Sequence, residues 1–429
     1  MKEYPYWWDT IPKVELKTEK VRVLPSKVDV AVVGGGYTGL SAARHLARVG
    51  ASVVVLERED VGWGASSRNG GQVLTGLRLD PGTLVERYGE AAARRLFEAS
   101  LDSMVRLETL IASEAIDCGY TQSGHIHAAS KPSHFEDLRK QQTVLTRVFR
   151  HRVELVSRNE QRSELGSDAY HGLLVDERSG ALNPTRYVHG LAEAATRAGA
   201  VVATEAPVER LSAQGPGGNR WRVTTPRGEI EATDVLMATG GYTNGALPAL
   251  RRRFVPVGSY IIATEPLPDQ VAAALLPKRR MAFDSRHFLH YFRITDDRRL
   301  LFGGRAEFSR PAPDTTRRAA SILRRDMLAA FPELSSVGVD YAWGGNVAFT
   351  RDELPHAGRL GDAYYAGGYC GHGIAMATAL GELVARRVAG EPVDHPLMDD
   401  RFPAIPFYNG RPWFLPIVGA YYRFRDLVD

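Results

Sequence analysis

Gly34, Gly36 and Gly39, within Gly34-Gly35-Gly36-Tyr37-Thr38-Gly39, fit the spacing GxGxxG. Each position has its own steric demand. The first glycine permits a tight turn, the second lets backbone approach a pyrophosphate, and the third lets a helix pack close to a strand. Val28-Asp29-Val30-Ala31-Val32-Val33 precedes the motif as a β-branched run suited to a buried parallel strand. Leu40, Ala43, Leu46 and Ala47 then share one helical face as far as Gly50, a helix stop. The start of such a helix, around Tyr37 and Thr38, offers free N–H groups and the positive end of a dipole to phosphate. A second apolar run, Val53-Val54-Val55-Leu56, ends in Glu57, eighteen positions after Gly39, with Arg58 beside it. A carboxylate at that strand end accepts hydrogen bonds from both ribose hydroxyls and repels a 2′-phosphate. Strand, glycine turn, helix and strand make a βαβ unit for a dinucleotide.

The following stretch selects the kind of dinucleotide. It reads Gly62-Trp63-Gly64-Ala65-Ser66-Ser67-Arg68-Asn69-Gly70-Gly71-Gln72, where a simple nicotinamide site would begin an ordinary helix. Small residues, hydroxyls and backbone amides suit the wrapping of pyrophosphate and ribityl groups, so FAD is the expected cofactor. Hydride transfer to a flavin leaves negative charge at its N1–C2=O edge. Gly371-His372-Gly373 stands immediately before a helix that begins near Ile374, so its amides and dipole are placed to stabilise that charge. A plain glycine turn feeding a helix has the same geometry. His372 is a candidate catalytic group, by a hydrogen bond or by holding a substrate amine neutral, and a structural histidine is the alternative. Tyr291 and Trp343 are candidate pocket walls, since aromatic faces stabilise ammonium groups, with core packing as the other reading.

With these residues in place, the sequence resembles the D-amino-acid oxidase-like flavoproteins, which include glycine oxidase, sarcosine oxidase and related amine oxidases. The glycine-rich loop is most similar to the branch that contains gamma-glutamylputrescine oxidase. Other matches are Leu182-Asn183-Pro184, the stretch Ala238-Thr239-Gly240-Gly241-Tyr242-Thr243-Asn244, Tyr291-Phe292-Arg293, Leu300-Leu301-Phe302-Gly303-Gly304 and Trp343-Gly344-Gly345. Pro355, Gly358 and the tail around Gly410-Arg411, Pro416 and Gly419-Ala420-Tyr421-Tyr422 match as well. The resemblance runs from Val28 to the C-terminus. It implies that Val208 faces the adenine, that Thr239 and Gly240 form a turn over the cofactor, and that Gly367 belongs to the same site. It implies oxidation of a C–N bond of a primary or secondary amine by hydride transfer to flavin N5, giving an imine that water hydrolyses. An amino-acid oxidase, or an amine dehydrogenase serving a quinone or protein acceptor, is the alternative.

Amino-acid oxidases of this group carry a substrate-binding arginine in a Gly-x-Arg-Pro stretch. Here the stretch is Gly345-Asn346-Val347-Ala348, and a valine cannot pair with a carboxylate. An amine substrate is favoured, with Gln72, Arg293 and Trp343 on the substrate side and Arg293 or Arg351 as possible replacements for the missing arginine. No lysine lies between Met281 and Gly345, where sarcosine oxidase-like enzymes place one for oxygen activation, so oxygen and another acceptor both stay open. Related covalent flavoenzymes attach their flavin elsewhere than at Cys370, so non-covalent FAD is expected.

The elements that must position these residues follow from composition and pattern. The chain has 429 residues, 44% hydrophobic and 24% charged, with ample material for two domains. The net charge of +4, from 54 basic and 50 acidic residues, is scattered and forms no stripe for nucleic acid. Two distant cysteines exclude a disulfide scaffold and a cysteine-rich metal site, and no metal is expected. The N-terminus lacks the apolar core of a signal peptide, no run is long enough to cross a membrane, and a cytoplasmic enzyme is expected. The expected fold is α/β: a Rossmann-like FAD domain of residues 28–88, 150–247 and 345–392, interleaved with an antiparallel-sheet substrate domain of residues 89–149 and 248–344. Residues 1–27 read as an extended arm over the surface and 393–429 as a tail. Helices are expected over 187–198, 317–330 and 373–388, and mainly helical structure over 81–153. Two strands spanning 208–223 are expected to flank a Gly-Pro-Gly-Gly-Asn turn.

Overall fold

The computed structural model describes residues 1–11, 21, 23–214, 220–304 and 314–428. The turn expected at 215–219 and residues 12–20 and 22 of the expected arm lie outside them.

The β-branched run at the N-terminus forms the strand Lys27–Val33, buried from Val30 onward. It pairs in parallel with Val53–Leu56 on one side and Gly228–Met237 on the other. Val201–Ala203 extends the sheet beyond Val53–Leu56, and Ala363–Gly367 extends it beyond Gly228–Met237, both in parallel. His356–Leu360 closes that edge antiparallel to Ala363–Gly367. Arg220–Thr225 and Arg210–Gln214 add an antiparallel meander to the first half of Gly228–Met237, giving eight strands among the described residues. One face carries the helices Tyr37–Arg48, Pro184–Arg197 and Gly373–Val388, whose Leu40, Leu46, Leu191 and Leu380 pack with Val30 and Val32. The opposite face buries Ala31 and Val33 against Trp221, Leu250 and Phe254.

A second sheet, of eight strands among the described residues, runs in the order Val339–Phe349, Val255–Thr264, Leu300–Gly304, His290–Ile294, Met281–Asp284, His125–Ala128, Leu173–Asp176, Glu154–Val156. All its neighbours are antiparallel except Met281–Asp284 with His125–Ala128. One face packs on the helix Thr315–Ala330, where Leu323 and Met327 meet Ile262, Phe292 and Phe302. Because strand side chains alternate, Tyr291 next to Phe292 faces the other way, toward the space between the two sheets.

Two expectations need correction. Glu154–Val156 and Leu173–Asp176, counted with the FAD segment 150–247, pair into the second sheet instead, because their apolar faces complete its core. The start of the chain is not laid over the surface either. Tyr6–Thr10 is a short 3-10 helix whose Tyr6 and Trp7 are buried with Ile261, Tyr341 and Trp343, since such large rings gain more from burial than from covering. Lys2 pairs its backbone with Asp340 and Ala342 at the edge of the second sheet.

The helix Gly373–Val388 approaches the helix Tyr37–Arg48 so closely that a Cβ on Gly381 would stand 2.4 Å from the Thr38 carbonyl oxygen. Ser41 Oγ donates to the Thr378 carbonyl at 2.7 Å across the same contact. Gly381→Ala is expected to force the helices apart and lower stability by about 1–3 kcal/mol. Denaturant unfolding of the purified variant measures this, and an unchanged midpoint would mean that the helices do not need the contact.

Candidate active site

A cavity of about 1040 Å³ lies between the two sheets, large enough for a dinucleotide-sized ligand. At one end is the glycine turn, and the structure gives each glycine a separate reason. Gly34 has φ +112°, and a Cβ there would lie 2.7 Å from the Ala238 carbonyl oxygen. A Cβ on Gly36 would lie 2.8 Å from Ser66 Oγ, and one on Gly39 would lie 2.0 Å from the Gly34 carbonyl oxygen. Gly34, Gly36, Tyr37 and Thr38 line the cavity, whereas Gly39 serves the packing of helix on strand. Glu57 and Arg58 line it beside them. The Glu57 carboxylate is aimed by two backbone donors, Gly35 N–H at 2.7 Å and Glu59 N–H at 3.0 Å.

The glycine-rich loop forms the next wall through Gly64, Ala65, Ser66, Arg68, Asn69, Gly70 and Gln72. Three indoles hold it from behind. Trp8 Nε1 donates to Ser67 Oγ at 2.8 Å, Trp343 Nε1 to the Arg68 carbonyl at 3.0 Å, and Trp7 Nε1 to the Asn69 carbonyl at 2.9 Å. The Arg68 guanidinium lies between the Trp63 ring at 4.4 Å and the Trp8 ring at 4.9 Å, and donates to the carbonyls of Trp63 and Gly344. Ser67 is turned away from the cavity, donating to the Gly62 carbonyl. Gly71 (φ +72°) sits at the loop's exit, where a Cβ would be 2.2 Å from the Leu182 carbonyl oxygen.

Val208, Thr239 and Gly240 also line the cavity, with Asn244 Nδ2 donating to the Val208 carbonyl at 2.9 Å. Gly371, His372, Gly373 and Ile374 line it at the start of the helix Gly373–Val388. Thr38 Oγ1 and Tyr369 Oη, 2.6 Å apart, tie this helix start to the glycine turn. Gly367 lies within the strand Ala363–Gly367, against Phe254, rather than on the cavity. His372 Nδ1 is closed off from solvent and has no hydrogen-bond partner among the described residues. Burial, with the charge of Arg78 as a second cause, lowers its pKa to about 3, so the imidazole is neutral at physiological pH. His127, on the same cavity and packed on Phe283 at 4.6 Å, is lowered to about 3 chiefly by desolvation. Tyr291 lines the cavity between Gly70 and Gly303, its hydroxyl 3.1 Å from Ser259 Oγ.

Arg293 and Trp343, expected on the substrate side, stand apart from the cavity. Arg293 is buried and donates from Nη1 to the carbonyls of Gly71 and Leu182, so its charge braces the glycine-rich loop. Trp343 is 1% exposed and braces the same loop. Arg351 is exposed. Sequence reasoning did not single out Arg78 or His127, and it took the tail as part of the resemblance without placing it at the site. The helix Leu415–Val428 brings Val418 and Tyr422 onto the cavity, with Tyr422 packed on His287 at 5.3 Å. The repeated aromatic residues of the tail were the available signal.

A parallel sheet with a glycine turn, two helix N-termini on one cavity and an antiparallel sheet across it define the class of flavin-dinucleotide oxidoreductases. The orphaned His372 Nδ1 and the cradle at Gly36 are chemically suited to that cofactor. Residues 29–387 match the DAO family, described as FAD dependent oxidoreductase, and the chain belongs to it. It is 34% identical over 403 residues to gamma-glutamylputrescine oxidoreductase of Escherichia coli, covering 93% of this chain and 92% of that one. Glycine oxidase of Bacillus licheniformis is 26% identical, covering 86% and 94%. The crystal structure of glycine oxidase from Geobacillus kaustophilus shares the fold, with a TM-score of 0.72 and 21% identity over 90% of this chain and 99% of that one. The protein is an FAD-dependent oxidoreductase of a family acting on amines and amino acids. Among the described residues no helix is long and apolar enough to cross a membrane.

Gly36→Val is expected to yield colourless protein, because its branched Cβ would push into Ser66 Oγ and the phosphate approach. Yellow variant protein with a full complement of FAD would refute the placement. Trp343→Phe leaves the Arg68 carbonyl without its donor and is expected to cost about 1–3 kcal/mol. Denaturant titration, with flavin content measured alongside, checks that effect.

Proposed function

We propose that this enzyme oxidises the C–N bond of a primary or secondary amine to an imine, which hydrolyses in water, with FAD bound non-covalently. The bound flavin accepts the hydride. The observation that carries the reading is that two neutral imidazoles, His372 and His127, line the same cavity as Val347, which stands where amino-acid oxidases of this group carry an arginine. An amine gives up hydride from its adjacent carbon only as the free base, whose lone pair stabilises the developing iminium. Neutral imidazoles receive such an amine without a proton to return to it. The N–H groups at the start of Gly373–Val388 supply a fixed positive field for negative charge arriving nearby. Tyr291 offers an aromatic face to the same cavity. The similarity to gamma-glutamylputrescine oxidoreductase supports an amine over a simple α-amino acid.

Non-covalent binding is supported by the state of Cys370. Its thiol is buried, pushed up to about 11 by desolvation, and donates to the Gly368 carbonyl. A protonated thiol is a poor nucleophile toward a flavin ring. Both cysteines are buried and free, which supports a reducing, cytoplasmic setting. Oxygen or another acceptor completes turnover, and peroxide yield measured against dye reduction separates the two.

An anaerobic panel of amines is expected to bleach the oxidised flavin band, and a protein that keeps its colour with every amine would sink the proposal. The bleaching rate is expected to rise with pH along the substrate amine's own titration and to move with a less basic amine. His372→Asn should leave that inflection in place. An inflection near the ordinary histidine value of 6.5 that vanished in the variant would show an imidazole titrating in the reaction. Acid precipitation is expected to release all FAD into the supernatant; flavin retained on the pellet would show a covalent link.

A further inference from the structure

Large apolar side chains left in water gather on one stretch of this chain. Of the nine that stand exposed among the described residues, five run from Phe407 to Tyr422. Phe407 is 98% exposed, Trp413 63%, Ile417 67% and Tyr421 53%. Single exposed rings are ordinary on a protein surface, whereas a cluster of them marks a contact face. The backbone holds this cluster outward. Tyr408, next to Phe407, is buried and donates from its hydroxyl to the Phe254 carbonyl at 2.9 Å, while Ile405 N–H donates to the Arg252 carbonyl at 3.1 Å. Between these two ties the chain turns Phe407 (φ +57°) into solvent, a left-handed conformation that is unfavourable for a bulky residue and that no buried contact repays. Val418 N–H donates to the Phe414 carbonyl at 3.0 Å, so helical turns begin at Phe414, and Ile417 and Tyr421 share one face with Trp413 one turn ahead. Phe414, Leu415 and Val418 of the same turns line the cavity, which Tyr421 also borders.

Cations beside these rings are left without partners. Arg252 and Arg411 are exposed, Arg251 packs on Gly410, and none of the three makes an ion pair among the described residues. We propose that this face, built from Phe407, Trp413, Ile417 and the arginines around them, docks on an anionic lipid bilayer and holds the enzyme peripherally at a membrane surface. Aromatic rings settle at the level of lipid headgroups, and arginines beside them are drawn to anionic lipid. Among the described residues no helix is long and apolar enough to cross a membrane, so the contact is interfacial. A second copy of the chain suits the face less well, because a two-fold contact sets a patch against itself and would bring these arginines onto one another. Val418 lines the cavity from the helix that carries Ile417, so docking sets this wall of the cavity about 10 Å, one helix diameter, from the lipid. The docking does not depend on the amine reaction proposed above.

The test is flotation of the FAD-loaded enzyme with vesicles of phosphatidylcholine and with vesicles of an equal mixture of phosphatidylcholine and phosphatidylglycerol. Wild type is expected to bind the mixed vesicles at least about tenfold more tightly, and added salt should weaken that binding. Trp413→Ser combined with Ile417→Ser and, separately, Arg252→Gln combined with Arg411→Gln should each lower the affinity at least about tenfold, with flavin content and melting temperature unchanged. Phe407→Ser, at a ring almost wholly in solvent, should lower it as well and serves alone if a double variant does not fold. Brominated lipid is expected to quench a part of the tryptophan emission that Trp413→Phe removes. The proposal is overturned by a wild type that floats with neither vesicle or equally with both, by variants that float as wild type does, or by emission that brominated lipid leaves unquenched. Dimers in solution that the same variants dissociate would assign the face to a second copy and overturn it too.

Discussion

The architecture depends on backbone meeting backbone at two places without a side chain between them. Gly39 lets the helix Tyr37–Arg48 settle against the Gly34 carbonyl, and Gly381 lets the helix Gly373–Val388 settle against the Thr38 carbonyl. Together they draw two helix N-termini to one cavity, and the Thr38–Tyr369 hydroxyl contact fixes their relative position. A helix end has about half an elementary charge to offer and its field fades within the first turn, so a displacement of one side chain's width would waste it. Every later feature of the site, from the aim of Glu57 to the place of His372, presumes that these two ends are already in register.

The glycine-rich loop presents a different problem. A loop of small residues has little surface of its own to bury and a large conformational entropy to lose. Its order comes from outside, from three indole N–H donors, one each to Ser67, Arg68 and Asn69, and from Arg293 on Gly71. Indoles suit the task because a large apolar body anchors the donor while the single N–H sets direction. Two of the three come from the first ten residues of the chain, which therefore act as part of the site's framework despite their distance from it in sequence.

Much of the fold was legible because its signals are local. The run Val28 to Val33, the glycine spacing and the helix stop at Gly50 place the βαβ unit to within a residue or two, and Gly373–Val388 has the bounds its pattern implies. What escaped was set by partners far along the chain. Glu154–Val156 and Leu173–Asp176 are short enough to suit either sheet, and only Ile126 and its neighbours decide which. Tyr6 and Trp7 look like exposed aromatics in a polar arm until the cluster of Ile261, Tyr341 and Trp343 exists to receive them. Arg293 has the composition of a substrate ligand, and nothing local shows that the carbonyls of Gly71 and Leu182 claim it first. Arg78 is the converse: an ordinary arginine in sequence, notable only once its buried Nε is seen to have no hydrogen-bond partner among the described residues.

The electrostatics of the cavity separate groups that titrate from groups that do not. His372 and His127 are held neutral because burial removes the water that would solvate their charged forms. Positive character comes instead from helix N–H groups and from the Arg78 guanidinium. An imidazolium at position 372 would have supplied the same sign of charge, but it would carry a proton within reach of a substrate whose reactivity depends on lacking one. It would also repel Arg78 across a poorly solvated space, which is the second cause of its depressed pKa. The arrangement thus divides two tasks that a single protonated histidine would confuse: a permanent field for incoming negative charge, and a proton-free wall for an incoming free base.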